Sequence, residues 1–304
     1  MGRTIYRKLA FKISSLRFIV VLYTLLVSCS LSHADIRVTC AFSENSEAVI
    51  SELSLHDKCE KCFEESDVKH VFQDMLESFN WCKKFNITIY NKISFSDAYF
   101  MNVTSNLNQG AYNSIHHIYL DSTGGFVEAA TSIGDSVFAL GSSVFVNNNC
   151  YSSCVFILVS GKIRFFIPSE IGVHRISVDN LPSGIDPSGD GLDEYLSSTY
   201  LKIRQHLMKN GVSDALFQMM WSTPSAQIRT LTNDEAQESG LGLINTRFAE
   251  ALRYKVSAKF GDNGVAALGQ ILTEINTCWK TLSCSNEELD QLLRALKQAE
   301  DAVK

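Results

Sequence analysis

Three short pieces of this 304-residue chain carry residue types that do chemistry together. They are Asp121-Ser-Thr-Gly124-Gly125, Cys150-Tyr-Ser152-Ser153-Cys154 and Gly172-Val-His174-Arg175. The paired glycines follow an apolar run, Ile118-Tyr-Leu120, and precede helically spaced apolar residues at Val127, Ala130, Ile133 and Val137. That pattern predicts a strand, a tight turn and a helix. Glycines at such a turn let backbone N–H groups face outward, the geometry that holds an oxyanion. Ser152 sits among small residues ahead of another apolar run, Val155 to Val159. His174 closes an apolar stretch that runs from Phe165 to Val173. Glycine donors, a serine and a histidine, in that order, are the parts of a serine hydrolase.

The same pieces resemble a known family. Gly125 is followed 27 residues on by Ser152, and His174 comes 22 residues later. With Gly161-Lys162-Ile-Arg164, this order is similar to the Clp protease proteolytic subunit and the wider Clp/crotonase superfamily, and most similar to its periplasmic branch. The resemblance covers residues 91–248. It implies an α/β fold with a spiral of ββα units, a peptide or related acyl substrate, no cofactor, and self-association into a homo-oligomer. It also implies Ser152 as nucleophile and His174 as general base. The backbone N–H of Ser153 would join that of Gly125 in the oxyanion hole, with Gly124 shaping the turn. The family's acid is expected shortly before Leu231, where this chain reads Ser225-Ala-Gln227-Ile-Arg229. Gln227 or Ser225 is left to orient the imidazole, and neither stabilises an imidazolium as a carboxylate does. Two other readings stay open: a Ser–Lys pair using Lys162, and a silent envelope scaffold that keeps the fold without the reaction.

His116-His117 precedes the Ile118 strand, but adjacent strand residues point to opposite faces, so a shared metal is not expected. Asp234 lies a few residues late for a triad and suits the first turn of a helix.

The N-terminus reads as a signal peptide over residues 1–34. Five basic residues precede an apolar run from Phe18 to Val27, too short for a comfortable membrane span, and Ser32-His-Ala34 offers small residues for cleavage. Leu26-Val-Ser-Cys29 also resembles a lipobox, which would place a lipid anchor on Cys29. Cleavage after Ala34 leaves 22 of the 27 basic residues against all 33 acidic ones, a net charge of −11. So acidic a chain, without a basic run, is a poor partner for nucleic acid. An exported chain in the periplasm, or secreted, is the expectation.

Eight cysteines follow that cleavage point, and an even number in an exported chain reads as disulfides. Near neighbours suggest Cys150–Cys154 and Cys278–Cys284. The remaining four, Cys40, Cys59, Cys62 and Cys82, have no deducible connectivity. Cys59-Glu-Lys-Cys62 has a redox or metal motif as its alternative.

The elements that must position these residues divide the chain in three. Residues 35–90 form a cysteine-bearing N-terminal segment, with strands at Ile36–Val38 and Phe85–Tyr90 and helical spacing from Val68 to Phe79. Residues 91–248 form the core. Its parts are a helix near Ala98–Leu107, the Ile118 strand, a helix to about Val137, a strand at Ser143–Val146 and a polar turn at Asn147–Cys150. A Pro/Gly-rich loop follows His174, then helices over Leu192–Leu207 and Ser213–Trp221 and a capped short helix after Leu231. Residues 249–304 form a helical extension whose Ser285-Asn-Glu-Glu288 is a capping box. Docking on the core is its expected role, with an oligomer contact as the alternative.

Overall fold

The structure, a computed structural model, describes residues 33–43, 46–56, 84–107, 114–166, 168–177, 191–281 and 284–304. Residues 1–32 of the signal segment, with Cys29, the helical spacing from Val68 to Phe79, Cys59, Cys62, Cys82 and the Pro/Gly-rich loop after His174, lie outside the described residues, while His33 and Ala34 begin a strand. The described part is mixed α/β, with residues His33–Lys304 in one compact unit.

One mixed sheet runs through it in the order β2-β1-β3-β4-β5-β7-β8, with β6 also on β5. β1 (His33–Ser43) pairs antiparallel with β2 (Ser46–His56) and with β3 (Lys84–Ile93). β3, β4 (Ser114–Gly125), β5 (Ser143–Tyr151) and β7 (Glu170–Val173) are parallel neighbours. β6 (Arg164–Phe165) pairs with the start of β5, and β8 (Arg229–Thr230) closes antiparallel on β7. Parallel neighbours need crossovers, which helices supply. α1 (Phe95–Leu107) joins β3 to β4, α2 (Val127–Leu140) joins β4 to β5, and α3 (Cys154–Leu158) follows β5.

Local chemistry starts and stops these elements. Ser94 accepts from the Asp97 N–H at 3.3 Å, while the Asp97 carboxylate accepts from the Ser94 N–H at 2.8 Å. That reciprocal pair begins α1 directly after β3. α2 ends at Gly141, which takes φ 62° so that its N–H can turn back to the last carbonyls. The core is aliphatic: Ile87, Ile89, Ile118, Leu120 and Val144 are fully buried in the strands, as is Ile133 in α2. α3 is apolar all round, with Cys154 to Leu158 at most 1% exposed, as a helix inside a core must be.

α4 (Gly191–Lys209), α5 (Asp214–Ser222) and α6 (Asn233–Glu238) follow. Thr232 and Glu235 form the capping box of α6, with Asp234 in its first turn. α7 (Thr246–Thr281) is a 36-residue element bent at Gly261, where φ 63° breaks the helix. Beyond the bend, a Cβ on Gly264 would collide with Phe260 Cβ at 2.6 Å and crowd Val256 Cγ1 at 3.0 Å. α8 (Asn286–Asp301) is capped by Ser285 and Glu288. Trp279 packs edge-on against Phe166, 5.5 Å between ring centroids, and Leu296 of α8 is 2% exposed. The extension is therefore docked on the core.

Arg164 organises the centre. Its guanidinium is fully buried and donates to the carbonyls of Val159 (2.7 Å), Asn210 (2.8 Å) and Gly240 (3.1 Å). Those carbonyls lie just beyond α3, α4 and α6, so one cation meets the negative ends of three helices. Burial pushes its pKa down to about 9, which leaves it charged at neutral pH.

Two expectations change. The polar turn at Asn147–Cys150 is strand, because Asn149 and Cys150 pair with Glu170 and Ile171 of β7. The Asn148 and Asn149 amides also donate to Asp121, at 2.6 and 3.0 Å. The turn comes later, at Ser152–Ser153. The stretch from Phe165 to Val173 is two strands, β6 and β7, which meet β5 at successive points.

Candidate functional site

β4, β5 and β7 are neighbours running the same way, so their C-terminal ends lie together. Gly124 and Gly125 end β4, Ser152 follows β5, and His174 follows β7. Ligands of parallel sheets bind outside the carboxyl ends of the strands, where loops converge.

Ser152 stands where β5 turns into α3. Its φ is 58°, in the left-handed region, one of two non-glycine residues there among those described. Outside glycine this conformation is uncommon, and in a serine it marks a held backbone. The Ser152 N–H donates to the Gly172 carbonyl at 2.9 Å, and its own carbonyl accepts from Val155 at 3.2 Å. The residue is half-buried. A sharp strand-to-helix turn with a strained serine is the build of a nucleophile elbow.

Gly124, at φ 95°, lies against this turn. A Cβ there would come 2.5 Å from Ser152 Cβ, 2.8 Å from the Tyr151 carbonyl and 3.1 Å from Ser152 Oγ. At Gly125 a Cβ would run into the Ile93 backbone. Both positions thus require glycine for close approach. Ser153 is 2% exposed, and among the described residues its hydroxyl has no hydrogen-bond partner. Among the described residues no backbone carbonyl accepts from the Ser153 N–H. The Cys150–Cys154 disulfide spans this turn, with 5.3 Å between its Cα atoms, and Cys278–Cys284 spans the link from α7 to α8.

His174 is half-buried, and its Nδ1 lies 2.7 Å from the Arg175 carbonyl. A carbonyl only accepts, so Nδ1 carries the hydrogen and Nε2 of the neutral ring keeps its lone pair. The Arg175 N–H donates to Thr223 at 2.9 Å. Among the described residues no hydrogen bond joins the imidazole to Ser152 Oγ. Gln227 is exposed, in a turn closed by its N–H on the Pro224 carbonyl at 3.0 Å, and it does not hydrogen-bond the imidazole. Its neighbour Ile228 packs over Gly172 beside Tyr151: a Cβ on Gly172 would meet Ile228 Cγ2 at 2.5 Å and Tyr151 Cδ1 at 2.6 Å.

Lys162 is occupied elsewhere. Its ammonium donates to Glu300 of α8 at 3.1 Å, and burial, opposed by Glu300, lowers its pKa. Among the described residues no three His, Cys, Asp or Glu side chains converge on a metal position.

Elsewhere the structure holds a serine–histidine–aspartate grouping that the sequence does not signal. His206 Nε2 lies 3.1 Å from Ser160 Oγ, and its Nδ1 lies 3.8 Å from Asp135. That Nε2 is also 2.9 Å from the Phe156 carbonyl, to which Ser160 Oγ donates at 3.0 Å. Nε2 therefore acts as a donor and cannot take a proton from Ser160. Ser160 is fully buried and His206 is 4% exposed. The cluster ties α2, α3 and α4 together.

The two disulfides suggest a non-cytosolic environment. No helix among the described residues is long and apolar enough to cross a membrane. No protein-family model matches this chain, and no curated protein matches it.

Proposed function

We propose that the protein is an exported serine hydrolase of Clp/crotonase-like build, acting on peptide or related acyl bonds through Ser152 and His174. The observation that carries this reading is the backbone of Ser152: a serine at φ 58° on a strand-to-helix turn, pressed against Gly124. Strain of this kind costs about 1–3 kcal/mol and persists where it serves a site. The parallel run β3-β4-β5-β7, with a helix after each of the first three, supports the family-like architecture.

In this mechanism Ser152 Oγ attacks the acyl carbon and His174 Nε2 takes its proton. The Ser153 and Gly125 N–H groups receive the oxyanion, and the imidazolium returns the proton to the leaving group. The Arg175 carbonyl sets the tautomer, the role a triad carboxylate plays, without that group's charge. Catalysis by such a pair is weak, since losing the acid costs a triad about ten-thousand-fold. Location in the periplasm and assembly into a homo-oligomer belong to the same proposal.

Fluorophosphonate labelling of the oxidised mature chain tests it. Stoichiometric labelling that vanishes in Ser152→Ala and in His174→Ala supports an activated serine. No labelling, where a control hydrolase reacts, overturns the enzyme. The second reading, a silent envelope scaffold, is favoured by the missing Ser152–His174 hydrogen bond, and that negative result would select it.

A further inference from the structure

The geometry of the serine turn points to a covalent positioning device: we infer that the Cys150–Cys154 disulfide holds the Ser152 backbone in its left-handed conformation and so presents the hydroxyl. This rests on the proposed role of Ser152, which it deepens by naming what fixes the nucleophile.

Cys150 is locked in the middle of the sheet, opposite Ser122 of β4 and Ile171 of β7. Tyr151 is still in the ladder, opposite Gly172. Cys154 is the first residue of α3, a helix sealed in the core. Four extended steps reach about 13 Å, but here the chain returns Cys154 Cα to 5.3 Å from Cys150 Cα. With Cys150 and Tyr151 held extended, the whole reversal falls on two residues. Ser153 is an ordinary right-handed residue, φ −64° and ψ −17°. Ser152 therefore takes the positive φ. The sulfur bridge lies two residues either side of it, where a nucleophile elbow ordinarily carries glycines. Both cysteines are fully buried, so the tie is part of the core. Cys150 and Cys154 thus act through Ser152 as positioning residues.

The test couples stability to labelling in one set of variants. Glycine adopts φ 58° without strain, so Ser152→Gly raises the melting temperature of the oxidised protein by about 2 °C. In a Cys150→Ala/Cys154→Ala background a serine is free to relax, and Ser152→Gly lowers the melting temperature. That reversal of sign supports the tie and does not depend on any reaction. Equal stabilisation by Ser152→Gly in both backgrounds overturns it. The fluorophosphonate rate should fall about 10- to 100-fold without the disulfide. It should be unchanged in Cys278→Ser/Cys284→Ser, which removes the bridge between α7 and α8. An unchanged rate in the Cys150/Cys154 variant also overturns the positioning role. A sign reversal with no labelling of any form keeps the tie and removes the hydrolase reading. If the double alanine variant does not fold, the folded oxidised protein is reduced with a dithiol. The dithiol becomes a disulfide as the cysteines gain two protons and two electrons. Loss of labelling with circular dichroism unchanged supports the tie, and retained labelling with both thiols detected by mass overturns it.

Discussion

The Ser152 N–H donates to the Gly172 carbonyl at 2.9 Å, and this bond carries the β5–β7 pairing one residue past the end of β5. His174 follows Gly172 by two residues. The proposed nucleophile and base are thus held at adjacent strand ends by the same ladder. Gly172 has no room for a side chain, since a Cβ would press on Ile228 and Tyr151. Those are side chains with some freedom to move, so Gly172→Ala should destabilise by about 1–3 kcal/mol and leave the fold intact. Urea unfolding measures the first effect. A fluorophosphonate rate reduced at least tenfold, about the cost of a misplaced nucleophile, measures the second.

Gly124→Ala should be harsher. Its φ of 95° strains any L side chain, and the Tyr151 carbonyl, a backbone atom, stands 2.8 Å from the new Cβ. The two costs together come to about 2–5 kcal/mol, with loss of labelling. Gly141 is the comparison: φ 62°, and no atom of the described residues within 4 Å of an added Cβ. Gly141→Ala should cost only the strain, about 1–2 kcal/mol, and leave labelling unchanged. Parallel melting curves and labelling rates separate the two.

Arg164→Met should be among the most destabilising single changes. It removes the arginine donors from the buried Asn210 carbonyl and the half-buried Gly240 carbonyl, and leaves the Val159 carbonyl with Asn245 Nδ2 alone, at 3.0 Å. Removing one side of a buried charged network typically costs about 3–5 kcal/mol. Arg164→Lys keeps the charge but not the fork that reaches three carbonyls, so it should recover part of the loss. Thermal unfolding of both variants checks the order.

Stability should fall as pH drops below about 6.5, the ordinary histidine value. Burial lowers the His206 pKa. The Phe156 carbonyl and Asp135 oppose that effect, and Lys209 and Arg247 add to it. The unfolded chain then binds the proton more readily than the folded one, so acid favours unfolding. The neutral ring's contribution is complete above pH 6.5 and is lost as pH falls toward the depressed folded value. His206→Gln keeps a donor for the Phe156 carbonyl and removes the titration. Its urea midpoint should depend less on pH between 7 and 5 than that of the unaltered protein.

What the sequence alone determined here is local. The capping box at Ser285–Glu288 and the cap of the short helix after Leu231 close within four residues, so residue identity suffices to read them; that the second is also a full box, Thr232 with Glu235, the structure adds. The helix over Leu192–Leu207 and the buried strand at Ile118–Leu120 follow from the period of their apolar residues. Cys150–Cys154 and Cys278–Cys284 were legible because short spacing leaves few partners. The tertiary structure decided what depends on distant chain. β5 runs on through Asn147–Cys150 because β7 and Asp121 supply partners that polar composition does not announce. Arg164 is in sequence only one residue of the Gly161-Lys162-Ile-Arg164 piece, yet it becomes the hub of three helix ends brought in from Val159, Asn210 and Gly240. Ser160 and His206 meet only because α4 crosses α3. The tautomer of His174 rests on a neighbouring carbonyl, and the positive φ of Ser152 on a sheet, a helix and a disulfide acting together. Residue types and order named the candidate groups; backbone constraint from elements far apart in the chain decided how each is held.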